Sequence, residues 1–171
     1  RDWSSDVCSS DLTSLNGAAE RGKSTPFKLV MLGDSLIEGY GLKPSQAVPA
    51  VMEANLAAQG LPVRILNAGV SGNTSGDALA RFNTDVPRDA QGILIAIGAN
   101  DMLQLYPPKY LAGNLRAMIE RAKSRNLKVA LAGMQVPFFI RGSYQEQFDA
   151  VYPTLAREFD VIEIRRTWHI D

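Results

Sequence analysis

Hydrophobic positions fall into two alternating patterns along the chain. Short, nearly continuous apolar runs occupy residues 27–32, 62–66, 92–97, 127–132 and 159–164. Runs of that length bounded by Gly, Pro or polar residues read as strands buried on both faces. Between them, apolar residues recur at helical spacing. Residues 46–59 carry Val48, Val51, Met52 and Leu56 on one side, with Pro49 near the start and Gly60 as a stop. A shorter helix is expected near 77–84. Residues 107–126 place Leu111, Leu115, Met118, Ile119 and Ala122 on one face, and 144–158 read as a helix that Pro153 must bend or divide. Strands alternating with helices predict βαβ units and an α/β fold of three layers, α/β/α, around a mostly parallel sheet of about five strands. A flavodoxin-like strand order, 2-1-3-4-5, is the expected topology. In that order the loops after the first three strands meet at one carboxyl edge, where open α/β sheets bind their ligands.

Residues 1–26 lack either periodicity. They are Ser/Asp-rich at first and then polar, and read as a disordered or linker segment. Residues 1–12 resemble the in-frame translation of a sequencing-library adapter and are expected to be an artefact. No apolar stretch reaches the length of a spanning helix, so no stable membrane anchor is expected. Lys plus Arg and Asp plus Glu number 18 each, a balance that gives no support to nucleic-acid binding. One cysteine, Cys8, excludes an internal disulfide, and one histidine, His169, argues against a His-rich metal site.

Candidate chemistry lies where the strands end. The first run stops at Gly33-Asp34-Ser35. Gly33 permits a sharp turn, Asp34 can bond the backbone of its own turn, and Ser35 then stands at the carboxyl edge. A serine there reads either as a helix N-cap or as a nucleophile whose own N–H joins an oxyanion hole. The fifth position of that segment is Ile37, so the Gly-x-Ser-x-Gly nucleophile elbow is not matched. Gly72, in a loop of small residues, allows close backbone approach, or simply makes a turn. Asn100 brings two uncharged N–H donors, or simply caps a helix.

Taken in order, GDSL at 33–36, the glycine within NAGVSGNTS at 67–75, and GAND at 98–101 resemble three sequence blocks of the SGNH (GDSL-type) hydrolases. Within that superfamily the chain looks most similar to bacterial arylesterases, also described as acyl-CoA thioesterase I and lysophospholipase L1. The resemblance covers about 27–161, and it implies a serine hydrolase of carboxylic esters or thioesters, free of metal and cofactor, acting on a small-molecule substrate. It places nucleophile and oxyanion hole on Ser35, Gly72 and Asn100, and gives Asp34 the support of the turn. Asp101, Leu103, Leu105, Val136, Pro137 and Phe138 would bind the acyl group. The subgroup is typically exported, so a periplasmic or secreted full-length protein is expected, or a cytoplasmic one without a signal peptide.

The family's base and orienting acid come from a late Asp-x-x-His, and this sequence has none. His169 is the remaining candidate base, and a frayed terminal residue is its alternative. The resemblance is lost after Val161, so 162–171 is expected to be an out-of-frame or non-native tail, with the last helix of the fold missing. Two other functions remain open at this point. One is a carbohydrate acetylesterase of the same superfamily. The other is a catalytically dead, flavodoxin-like binding fragment, although neither a Gly-x-Gly-x-x-Gly fingerprint nor a Walker pattern is present.

Overall fold

In a computed structural model, residues 25–137 and 142–168 are described. Five strands form one sheet: β1 (Phe27–Gly33), β2 (Val63–Gly69), β3 (Gly92–Ala96), β4 (Lys128–Met134) and β5 (Ile162–Trp168). Their order is β2-β1-β3-β4-β5 and every pairing is parallel, as the alternation of patterns predicts. The helices are α1 (Ser35–Glu38), α2 (Val48–Ala58), α3 (Ser75–Asp85), α4 (Ala99–Leu103), α5 (Pro108–Ser124), α6 (Ser143–Asp149) and α7 (Val151–Phe159).

Side chains alternate across the sheet and build two cores. Val30, Leu32, Ile93, Ile95 and Leu131 face α3, α5 and α7, from which Phe82, Leu115, Met118, Ile119 and Leu155 pack down. Met31, Ile65, Leu94, Ala96 and Ala132 face the other way, against Ile37 of α1 and Val48, Met52 and Leu56 of α2. By register, Ile162 and Ile164 extend this second face onto β5, where Ile162 remains 68% exposed.

The boundaries depart from the sequence reading for identifiable reasons. The helix expected over 144–158 divides, but at Ala150 rather than Pro153. Pro153 is the third residue of α7, where its missing N–H would have had no intrahelical partner. The last strand begins at Ile162, not 159, because Asp160 takes a left-handed conformation (φ 50°) and ends α7. β5 then pairs regularly with β4 through Ala132↔Ile164. Met134 next meets Trp168, so β5 spends two extra residues there. α3 starts at Ser75, two residues early, because Thr74 caps it reciprocally with Asp77.

Side chains cap two amides of the outer edge at β2. Glu53 of α2 accepts from Ile65 N at 2.5 Å and from Arg64 Nη1 at 2.9 Å. The Asn67 side chain accepts from Gly69 N at 2.9 Å.

Candidate active site

The register sets Gly33 beside Gly69 on one flank and Ala96 on the other, so three strands end side by side. Glycine at 69 lets α1 lie directly on β2: a Cβ there would sit 2.1 Å from Glu38 N. From this edge three loops rise, carrying Ser35, Gly72 and Asn100.

Asp34 caps α1, its Oδ1 accepting from Leu36 N at 3.0 Å. Its side chain is fully buried and Oδ2 has no hydrogen-bond partner among the described residues. Burial raises its pKa above the usual carboxylate value, against the pull of the Leu36 N–H. Ser35 follows at the first helical position, half-buried. N–H groups at that position have no intrahelical partner. Asp34 takes the next one, and among the described residues nothing accepts from Ser35 N–H.

Val70–Asn73 is a turn closed by Asn73 N donating to Val70 O at 3.2 Å. Gly72 is its third residue with φ 79°, a left-handed conformation that glycine supplies without strain. Among the described residues its N–H also meets no acceptor. Asn100 donates from Nδ2 to the Asn73 carbonyl at 2.8 Å. A carbonyl can only accept, so the amide nitrogen must face it, and the second Nδ2 hydrogen remains to be given elsewhere. Three adjacent segments therefore present two backbone N–H groups and one side-chain N–H with no acceptor among the described residues.

Asp101 lies deeper than the acyl-binding expectation implies. It is fully buried, and its oxygens accept from Ser75 N at 2.7 Å and Ser75 Oγ at 2.5 Å. Asn114 Nδ2 completes the network on Ser75 Oγ at 2.9 Å. Burial raises the Asp101 pKa in spite of both Ser75 bonds. The carboxylate joins the start of α3 to α4. Leu103 and Leu105 are exposed, at 64% and 62%, and Leu105 has a left-handed φ of 53°. Val136 is buried, its N–H bonded to Asp149 Oδ1 at 3.0 Å, and Pro137 is half-buried beside it. Phe138 and His169 lie outside the described residues. A groove of about 690 Å³ runs between α2, β2 and the loop after α1, but Ser35 is not among its walls.

Sequence reading missed the residues that hold these loops. Arg81 bridges β1, β2 and the Gly72 turn, Glu38 grips Ser71, and Gly98 (φ 134°) fits beneath Tyr152, whose hydroxyl donates to Ile97 O at 2.9 Å. The one available signal was Arg81 flanked at i−4 and i+4 by Asp77 and Asp85, a charged stripe beside the apolar face of Ala78 and Phe82.

The family model described as GDSL-like Lipase/Acylhydrolase matches residues 31–169. The chain belongs to this family. It is, by family, a carboxylic ester hydrolase. An arylesterase of Vibrio mimicus is 34% identical over 135 residues, covering 78% of this chain and 68% of that protein. The thioesterase 1/protease 1/lysophospholipase L1 of Escherichia coli is 34% identical over 134 residues, covering 78% and 63%. This GDSL-like hydrolase thus spans about two thirds of those relatives. A solved SGNH-hydrolase family esterase superposes with a TM-score of 0.78 at 33% identity, covering 81% of this chain and 75% of that one. Among the described residues no helix is long and apolar enough to cross a membrane.

Proposed function

We propose that Ser35 is the nucleophile of an esterase or thioesterase that works through an acyl-enzyme. The observation that carries this reading is the set of three donors without acceptors among the described residues: Ser35 N–H, Gly72 N–H and the second Asn100 N–H. An ester carbonyl over Ser35 would develop negative charge on its oxygen as Oγ adds, and these donors would stabilise it without reorganising. Collapse of the tetrahedral species would expel the alcohol or thiol, and water would then hydrolyse the acyl-enzyme.

The proposed substrates are aryl esters, short-to-medium acyl esters, acyl thioesters and lysophospholipids, in keeping with what the related arylesterase and thioesterase are named for. Leu103 and Leu105, exposed beside Asn100, supply apolar surface for the acyl group. Export to the periplasm belongs to the same proposal. The Ser35 proton needs a base, and the sequence contains no Asp-x-x-His. Losing a triad histidine costs on the order of 10⁶ in kcat, so a chain without that base would keep only a residual rate. Reading the locus beyond codon 161 in the other two frames tests whether an Asp-x-x-His is encoded there.

The test of the nucleophile is labelling by a fluorophosphonate probe, together with hydrolysis of p-nitrophenyl acyl esters. Slow labelling that Ser35→Ala abolishes supports the enzyme. Labelling that persists in Ser35→Ala, or a folded protein that never labels, overturns it for this chain.

A further inference from the structure

The turn that presents Gly72 has almost no packing to hold it. Gly72 is exposed, and a methyl group built there would meet nothing within 4 Å. Polar groups hold the turn instead, one from each side. Glu38, the last residue of α1, accepts from Ser71 N at 2.7 Å and from Ser71 Oγ. From the opposite side Arg81 of α3 extends a fork of three donors. Its Nε donates to Asn73 Oδ1 at 2.7 Å, Nη1 to Ala68 O at 2.9 Å, and Nη2 to Gly33 O at 2.8 Å. Asp85, one helical turn later, pairs with Nη1 and steadies the guanidinium. The Arg81 side chain is 17% exposed, so these bonds are largely shielded from competing water.

The acceptors belong to three different parts of the site. Gly33 O is the end of the strand that delivers Ser35, Ala68 O is near the end of β2, and Asn73 ends the Gly72 turn. Asn73 is also the residue whose carbonyl orients the Asn100 amide. One planar cation therefore fixes the distances among all three oxyanion donors. We propose that Arg81 is a positioning residue of the oxyanion hole, acting through Asn73 on Gly72 N–H and on the Asn100 amide. This rests on the esterase reading given above. Lysine does not substitute, because a single ammonium lacks the rigid fork that spans three acceptors.

The test uses Arg81→Met, Arg81→Lys and Asn73→Ala in the full chain. Asn73→Ala removes only the Oδ1 anchor and leaves Arg81 bonded to both strand carbonyls, which guards against a folding defect in the arginine variants. Two readouts are taken: Ser35-dependent hydrolysis of p-nitrophenyl acetate, and the NMR resonances of the Asn100 side-chain amide and the Gly72 backbone amide. The expected result is a fall in kcat of about tenfold to hundredfold in Arg81→Met and Asn73→Ala, with KM unchanged within about threefold and no rescue by Lys. Both sets of amide resonances should move in the same variants, while amides of β4 and α7 stay in place. The proposal is overturned if the Asn100 and Gly72 resonances are unmoved in folded Asn73→Ala and Arg81→Met. Loss confined to KM, or full rescue by Lys, overturns it as well. If the parent chain shows no Ser35-dependent hydrolysis, the esterase reading fails for this chain, and the resonances alone still decide the Arg81 linkage.

Discussion

Gly98 and Tyr152 allow a prediction whose size follows from two contacts in the structure. Gly98 has φ 134° and starts the segment that carries Asn100. A Cβ at that position would lie 2.2 Å from the Tyr152 hydroxyl oxygen, with the Leu111 methyl carbons next at 3.4 Å. Gly98→Ala therefore incurs backbone strain of about 1–3 kcal/mol. It also drives the buried hydroxyl away from Ile97 O, which leaves that carbonyl without its partner at a further cost of about 1–3 kcal/mol. The expected loss is about 2–6 kcal/mol, a large part of a small domain's stability. Tyr152→Phe alone pays only the second cost. In the double variant the overlapping oxygen is gone, the strain remains, and the carbonyl is unpartnered once rather than twice. Its stability loss should match that of Gly98→Ala alone, not the sum of the two. Urea unfolding of all four proteins, followed by far-UV circular dichroism, closes the cycle. Losses that add within about 0.5 kcal/mol would refute the assignment of the clash to the hydroxyl.

Gly72→Ala meets no atoms but must hold a left-handed φ, so it should cost about 1–2 kcal/mol in urea unfolding while keeping Ser35-dependent labelling, since the N–H is retained. A loss above that range would mean that something packs on Gly72. Asp34→Asn tests the buried carboxyl. Burial raises the folded pKa of Asp34 above 3.8, so the folded state holds its proton to higher pH than the unfolded chain. Stability therefore falls as pH rises from 3.8 through the folded pKa, and Asn at this position should flatten that decline in urea midpoints taken from acid to neutral pH. An unchanged slope would show that Asp34 does not titrate there. Thr74→Ala removes the N-cap of α3 and should cost about 1 kcal/mol by the same assay, and a cost near zero would mean the Asp77 carboxylate holds the helix start alone.

The sheet was legible because its code is local and repeated. Buried strands such as 92–97 are apolar throughout, the intervening helices carry periodic faces, and right-handed crossovers leave few strand orders. The elements that were not legible are short and set by single contacts. α1 is four residues long, held by the Asp34 cap and by α1 lying against Gly69, and neither leaves a periodic trace. α4 is five residues, wedged between Gly98 and a left-handed Leu105. The same holds at the candidate site. Ser35, Gly72 and Asn100 could be picked out because their residue types at strand ends are chemically suggestive. The family resemblance puts Asp101 by the acyl pocket, and no local pattern shows that its carboxylate bonds Ser75 in the interior. Arg81 and Glu38 act across separations of 48 and 33 residues, which no local pattern encodes.

The Glu53 carboxylate at the β2 edge has a consequence for self-association. An outer strand normally offers its outward amides to any extended chain that drifts alongside, including another copy of itself. Here Ile65 N is already taken by Glu53 and Gly69 N by the Asn67 side chain. A visiting strand that ran the length of β2 would have to displace a charged acceptor from Ile65 N. Growth of the sheet from that flank is thereby hindered at its middle, and one glutamate on a neighbouring helix supplies the obstacle.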